Sequence, residues 1–421
     1  MTTTIVKTKI HPLSEFAFYK GEKLSSLRKG PYKVGTALLK NINSRELTLF
    51  TEQDEKDYID SALTYGEDKT ITSMVYYTDG QQVVSLTTRQ RKIFFALAEF
   101  VDSQIKDPEI IDYINNLPDN IKFNNTRSNP LKITFDKRRL ARLIYSKNDI
   151  GGKEVKAIEQ DLEYLAKLRG KFVLNNLVTG ETVLLNDHFL TYKSITMSKD
   201  GEIQKDLSEV RIGDIFLYGI NTSGGYQLAP KELLMLWSLA LNDSEVTTYL
   251  FIALLGVRGI KVQDATRKIK IRIQTMVKEG YSRADAEKHV ESYKRELLTF
   301  RITQSKLLES IPEKKRYYYS TGQVRKNNLN EDVYLAKDGL KDIGLISDFW
   351  TAESASGEFM YCFLINENWL ADSSKKLQEI NERLELEQAN KKAARAQKRS
   401  KKTADETTSA SKTKSTKKKK E

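Results

Sequence analysis

In the stretch "GQVRKNNLNED", Gly322 to Asp332, an arginine, a lysine and three asparagines stand almost side by side: Arg325, Lys326, Asn327, Asn328 and Asn330. An arginine can pair through two hydrogen bonds with a guanine edge and an asparagine with an adenine edge. This is therefore the stretch of the chain best suited to reading bases in a DNA major groove. The same residue types also serve as a loop or a helix cap with no ligand. Just upstream, Lys314, Lys315 and Arg316 precede "YYYS" and suit phosphate contacts or, equally, a solvated charge run. A second set of candidate phosphate contacts comes much earlier, with Lys137, Arg138, Arg139 and Arg142 followed by Lys153 and Lys156.

Other chemistries lack their residues. A phosphate loop needs GxxxxGK[ST], but around "GGKE" the first glycine position holds Lys147 and the Ser/Thr position holds Glu154. His11, His188 and His289 are widely separated and form no His-x-His pair, so no metal site is expected. Tyr317, Tyr318 and Tyr319 could supply a DNA-cleaving nucleophile, yet a packing or stacking role suits adjacent aromatics better. The expectation is a protein without catalytic residues, cofactor or metal.

Side chains that read bases need a rigid element beneath them. From Gly151 to Asn186 the hydrophobic rhythm changes in the middle. Val155, Ile158, Leu162, Leu165 and Leu168 step by three and four, which predicts a helix. After Gly170, "KFVL" and "TVLL" flank a turn containing Gly180, which predicts a hairpin. A helix running into a hairpin is the second half of a winged helix, a helix-turn-helix variant. Upstream, "TTRQRKIFFALAEF" predicts a capped helix, "LKITF" a strand, and "DKRRLARLIY" a helix capped by Asp136, completing one unit.

The same order returns later: a helix over Gln323–Ile343 with Leu329, Val333, Leu340 and Ile343 inward, then "LISDFW" and "FMYCFLI" around the turn "SASGE". Between the two units lie a hairpin-like stretch to Gly224 and Gly225, two apolar helices over Pro230–Leu241 and Glu245–Leu255, and a charged helical insertion. The domain reading is a weakly patterned region 1–85, with a helix over Glu52–Leu63, then a first winged helix 86–200 and a second over 201–372. The insertion falls at about 261–299, and a charged helix and Lys-rich tail fill 373–421. The fold class expected is α+β, two tandem winged-helix domains with a disordered basic C-terminal tail.

Charge is placed unevenly. The net charge is +12, but residues 391–421 carry 11 lysines and 2 arginines against three acids, so the rest of the chain is nearly neutral. Any basic DNA face there must come from local clusters. With 39% hydrophobic and 30% charged residues the chain is globular in composition. No apolar run predicts a signal segment or a membrane span, which points to the cytoplasm. The single cysteine, Cys362, lies in an apolar strand-like run and excludes an internal disulfide.

The stretches "LTTRQRKIFFALAEF", "ITFDKRRLARLI" and "EQDLEYLAKL" are similar, in that order, to the opening helix, the next helical element and the long pre-wing helix of the replication initiators of theta-replicating plasmids. The resemblance covers about residues 86–370. It implies two tandem winged helices binding repeated duplex-DNA sites at an origin, the first serving dimerisation and backbone contact. The second reads the repeat through Arg325, Lys326, Asn327, Asn328 and Asn330. It further implies host replication proteins as partners and a monomer–dimer equilibrium, with no membrane role. The charged insertion and the long basic tail depart from the family's pattern. The alternatives are a winged-helix transcriptional regulator and a tyrosine-dependent DNA nickase.

Overall fold

Helix α1, Thr88–Gln104, has every residue from Arg91 to Val101 buried. A helix covered on all sides must lie between other elements. Phe94 packs on Phe189 and Phe216 with ring centres 5.6 and 5.4 Å away, and Phe100 on Phe135 at 6.5 Å. Phe95 turns the other way, to Trp237 at 5.6 Å and Phe251 at 6.4 Å. The start of α1 is polar and is fixed to the later half of the chain. Arg91 donates to Glu245 at 2.8 Å, Lys92 pairs with Asp243 at 3.4 Å, and the Thr88 and Thr248 hydroxyls lie 3.0 Å apart.

The structure, a computed structural model, describes residues 31–35, 38–39, 71–77, 86–104, 107–115, 131–147, 149–175, 182–199, 202–217, 220, 226–311, 315–319, 321–386 and 389–390. Residues 1–373 form one compact unit and 374–421 another, in which residues 374–386 are helical. The fold is α+β. The expected helix at Glu52–Leu63, the glycine pair Gly224 and Gly225, Lys314 and the Lys-rich end all lie outside the described residues.

After α1 come α2 (Pro108–Asn115), β3 (Lys132–Asp136), α3 (Lys137–Tyr145) and α4 (Gly152–Ala166), then hairpins β4–β5 (Arg169–Asn175, Thr182–His188) and β6–β7 (Leu190–Lys199, Glu202–Ile212). The Asp136 carboxylate caps α3 by accepting the Arg138 N–H, as its position before the helix predicts. Strand β3 pairs with β7, Lys132 opposite Arg211 and Asp136 opposite Leu207. The β6–β7 hairpin therefore runs across the expected 200/201 boundary, and its second strand belongs with the first half of the chain.

Residues 1–85 carry little pattern in the sequence, yet two strands there join sheets with later ones. Strand β1 (Tyr32–Gly35) pairs antiparallel with β8 (Tyr226–Ala229), and β2 (Ile71–Tyr77) pairs with β4.

The later half holds α5 (Leu233–Ala240), α6 (Glu245–Lys278), α7 (Arg283–His289), α8 (Glu291–Leu298), β9 (Thr299–Thr303), α9 (Gln304–Ser310) and α10 (Lys326–Asp342). Strands β10 (Ile346–Glu353) and β11 (Phe359–Ile365) follow. These last two and β9 form a sheet in the order β10-β11-β9. One expectation changes: the helix from Glu245 does not stop near Leu255 but continues for 34 residues, about 51 Å, into the charged insertion. Gly256 and Gly259 leave the backbone hydrogen bonds intact where a proline would break them. At Gly259 a Cβ would stand 2.1 Å from the Gln227 amide oxygen, which instead accepts the Gly259 N–H at 2.9 Å.

Replacing Phe95 by Ala removes a ring packed on both Trp237 and Phe251, and is expected to cost about 3–5 kcal/mol in chemical denaturation. A loss near zero would show that α1 does not join the two halves.

Candidate nucleic-acid interface

The base-reading cluster sits where α10 begins. Helix α10 buries Leu329, Val333, Ala336 and Leu340 and ends at Gly344, whose φ of 74° suits a left-handed cap. At Gly339 a Cβ would come 2.8 Å from the Ala240 carbonyl oxygen, so the helix lies flush against the end of α5. Ahead of α10 the chain folds back on itself. Tyr318 and Val324 form a β-bridge, Tyr319 N–H donates to the Gln323 carbonyl at 2.8 Å, and Arg325 N–H donates to the Tyr317 carbonyl at 2.7 Å.

This small hairpin turns the tyrosine run into a support. Tyr317 is buried, and its hydroxyl donates to Asp332 at 2.6 Å while Arg316 donates to the same carboxylate at 3.0 Å. Burial, followed by the hydrogen bond to Asp332, pushes the Tyr317 hydroxyl well above the usual phenol range. A nucleophile must lose that proton, so Tyr317 is poorly placed for the nickase reading. Tyr319 instead is 53% exposed and lies beneath the Arg325 guanidinium, ring centre 4.8 Å away.

The five residues of the cluster therefore differ. Arg325 is half-buried on its tyrosine platform, and its Nε, buried within the fold, makes no hydrogen bond among the described residues. Lys326 and Asn327 are exposed in the first turn of α10. Asn328 donates to the Arg316 carbonyl at 3.1 Å, and Asn330 accepts the Tyr361 hydroxyl at 2.6 Å. Those two amides tie the helix to its surroundings, as ordinary structural asparagines do. Of the cations ahead of them, Arg316 is exposed but occupied by Asp332, and for Lys315 only the backbone is described.

Beyond the first turn the solvent side of α10 shows Glu331, Tyr334, Leu335 and Asp338. Acids there repel phosphates, and the positive end of the helix dipole adds to Arg325 and Lys326 only at the start. The β10–β11 turn carries Glu353 and Glu358 and no cation between them. The Phe349 N–H and the cations Arg295 and Lys341 hold the Asp348 carboxyl below its usual range, while the Arg295 guanidinium lies over Trp350 at 4.7 Å. The Asp348–Arg295 anchor was not read from sequence, because its partners are 53 residues apart.

In the earlier half, Arg138 is exposed on α3, Arg139 and Arg142 are half-buried, and Lys153 and Lys156 are exposed on α4. Lys137 differs: it is buried, with its ammonium 2.6 Å from Glu159 and 2.8 Å from Ser194. The phosphate contact expected of Lys137 is not open to so enclosed a group, and sequence spacing could not foresee that Glu159, on the next helix, would claim it. Gln90 and Arg89 likewise hold Asp161 on the inner side of α4. Among the described residues, no helix is long and apolar enough to cross a membrane.

Replacing Tyr317 by Phe leaves the Asp332 carboxylate with Arg316 alone. It is expected to cost about 1–3 kcal/mol in thermal or urea unfolding, the usual penalty for a buried acceptor that loses its donor. An unchanged midpoint would mean that the hairpin does not hold the start of α10.

No family model matches the chain, and no curated protein matches it. Among solved structures it is similar to a selenomethionine derivative of domains 2 and 3 of RctB, with TM-score 0.32 and 12% identity over 72% of this chain and 93% of that one. A second crystal structure of RctB domains 2–3 gives TM-score 0.32 and 10% identity over 73% and 94%.

Proposed function

We propose that this chain is a sequence-specific, duplex-DNA-binding replication initiator of a plasmid or similar mobile element, built on two winged-helix units. It would bind origin repeats, in a monomer–dimer equilibrium, and recruit host replication proteins. The observation that carries this reading is the start of α10. Arg325 is braced on Tyr319 beside the exposed Lys326 and Asn327, on a helix that runs directly into the β10–β11 hairpin.

Each part has a physical role in that reading. Arg325, braced by the ring beneath it, loses little conformational freedom on pairing with a guanine edge, and Asn327 suits an adenine. Lys326 and the helix dipole attract the flanking phosphates. On the earlier half, Arg138, Arg139, Arg142, Lys153 and Lys156 grip the backbone without reading sequence. Because the solvent side of α10 turns acidic after its first turn, base contact is confined to the tip of the helix rather than spread along it.

Gel shifts or footprints with the DNA flanking this protein's own gene test the proposal, and failure to bind that DNA at moderate salt refutes it. Replacing Arg325 by Ala is expected to cost about 1–3 kcal/mol on the cognate site and to relax one base position. Equal losses on cognate and random duplex would overturn the reading role. Truncation after Ser373 is expected to lower the steepness of the salt dependence and leave the preference for cognate over random duplex intact, since the lysines beyond it release counterions whatever the sequence. A lost preference would assign sequence reading to the tail.

A further inference from the structure

The charged insertion carries a feature that duplex binding does not use. Along α6, Thr266, Ile269, Lys270, Ile273, Gln274, Val277 and Lys278 recur at steps of three and four, so they form one stripe along a single side of the helix. Together with Arg283, Lys294 and Glu367 they line an open groove of about 880 Å³. The inner edge of this stripe is packed: Ile269 and Ile273 rest on the small core of Met276, Ala286 and Val290. On the outer edge Val277 is exposed.

A stripe with this spacing is what one helix presents to another. Its rim decides which partner. Lys270, Lys278, Arg283 and Lys294 surround the groove, and its one acid, Glu367, is already paired with Lys294 at 2.5 Å. Lys270 and Lys278 have no ion pair among the described residues, and Arg283 shares only the exposed Glu287 at 3.0 Å. We propose that this groove docks an acidic amphipathic helix of a partner protein. The partner's apolar side would cover Ile269, Ile273 and Val277, and its carboxylates would meet Lys270, Lys278 and Arg283. A nucleic-acid backbone would satisfy the cations but bury nothing on the apolar floor, so charge and apolar surface together favour a protein.

The test uses the full chain and a fluorescein-labelled synthetic peptide of about 14 residues, roughly the length of the stripe. The peptide carries leucine at helical steps of three and four and glutamate elsewhere, and the control is the same composition scrambled. Fluorescence anisotropy is expected to show saturable binding of the patterned peptide. The scrambled peptide should bind about tenfold more weakly, and so should the patterned one to Lys270→Glu/Lys278→Glu or to Val277→Asp. All three substituted residues are exposed, so thermal melts of these variants should match the parent. Arg325→Ala should leave peptide binding unchanged, which separates this test from that of duplex reading. Equal binding of the scrambled peptide, or indifference to the rim variants, overturns the proposal. So does displacement of the peptide by random duplex DNA combined with weaker duplex binding by Lys270→Glu/Lys278→Glu, an outcome that would assign the groove to phosphate.

Discussion

The structure depends on helix α1 being buried from both sides. Phe94 and Phe100 face the rings of Phe189, Phe216 and Phe135, and Phe95 faces Trp237 and Phe251. A single rigid rod thus holds residues separated by more than a hundred positions, and rings of this size carry much of the burial that stabilises such a core. Arg91, 2% exposed, needs the Glu245 carboxylate, because an unpaired buried guanidinium would cost several kcal/mol, roughly. The helix therefore places the α5–α6 pair as well as the elements of the earlier half.

That placement matters because both clusters of candidate DNA contacts hang from elements tied to α1. Asp161 on α4 is held by Arg89 and Gln90 of α1. At the other end, α10 lies flush on α5, whose Trp237 packs against Phe95. A base-reading side chain is useful only if its position is fixed to within a fraction of its own length. Arg325 gains a second fixing from Tyr319, and the start of α10 gains a third from the bonds of Tyr317 and Arg316 to Asp332. The bridge between Tyr318 and Val324 thus gives α10 an ordered beginning although it lacks a side-chain cap.

Much of this was legible in the chain. The spacing of Ile158, Leu162 and Leu165, and of Leu329, Val333 and Leu340, announces helices, and the apolar runs after each announce hairpins, because both signals are local. Cys362 is buried in its strand, as its neighbours implied. Other features were out of reach. The strands at Tyr32–Gly35 and Ile71–Tyr77 are short, and they are strands because of partners at Tyr226–Ala229 and Arg169–Asn175, which no local window contains. Lys137 reads as a surface cation beside Arg138 and Arg139, and only the fold brings Glu159 and Ser194 to it.

The sequence by itself determined the two helix-then-hairpin stretches, the acid-poor cluster at Arg325 to Asn330 and the uneven placement of charge, since periodicity, residue type and composition act within a few residues. The tertiary structure decided which members of each cluster remain open. Asn328 and Asn330 are tied into the fold, Lys137 is enclosed, and Lys326, Asn327 and Arg138 stay in solvent. It also decided that one 34-residue helix carries a stripe packed along one edge and exposed at Val277. The physical reason is common to all of these: burial and hydrogen-bond partnership are set by groups distant in the chain, and neither leaves a trace in local spacing.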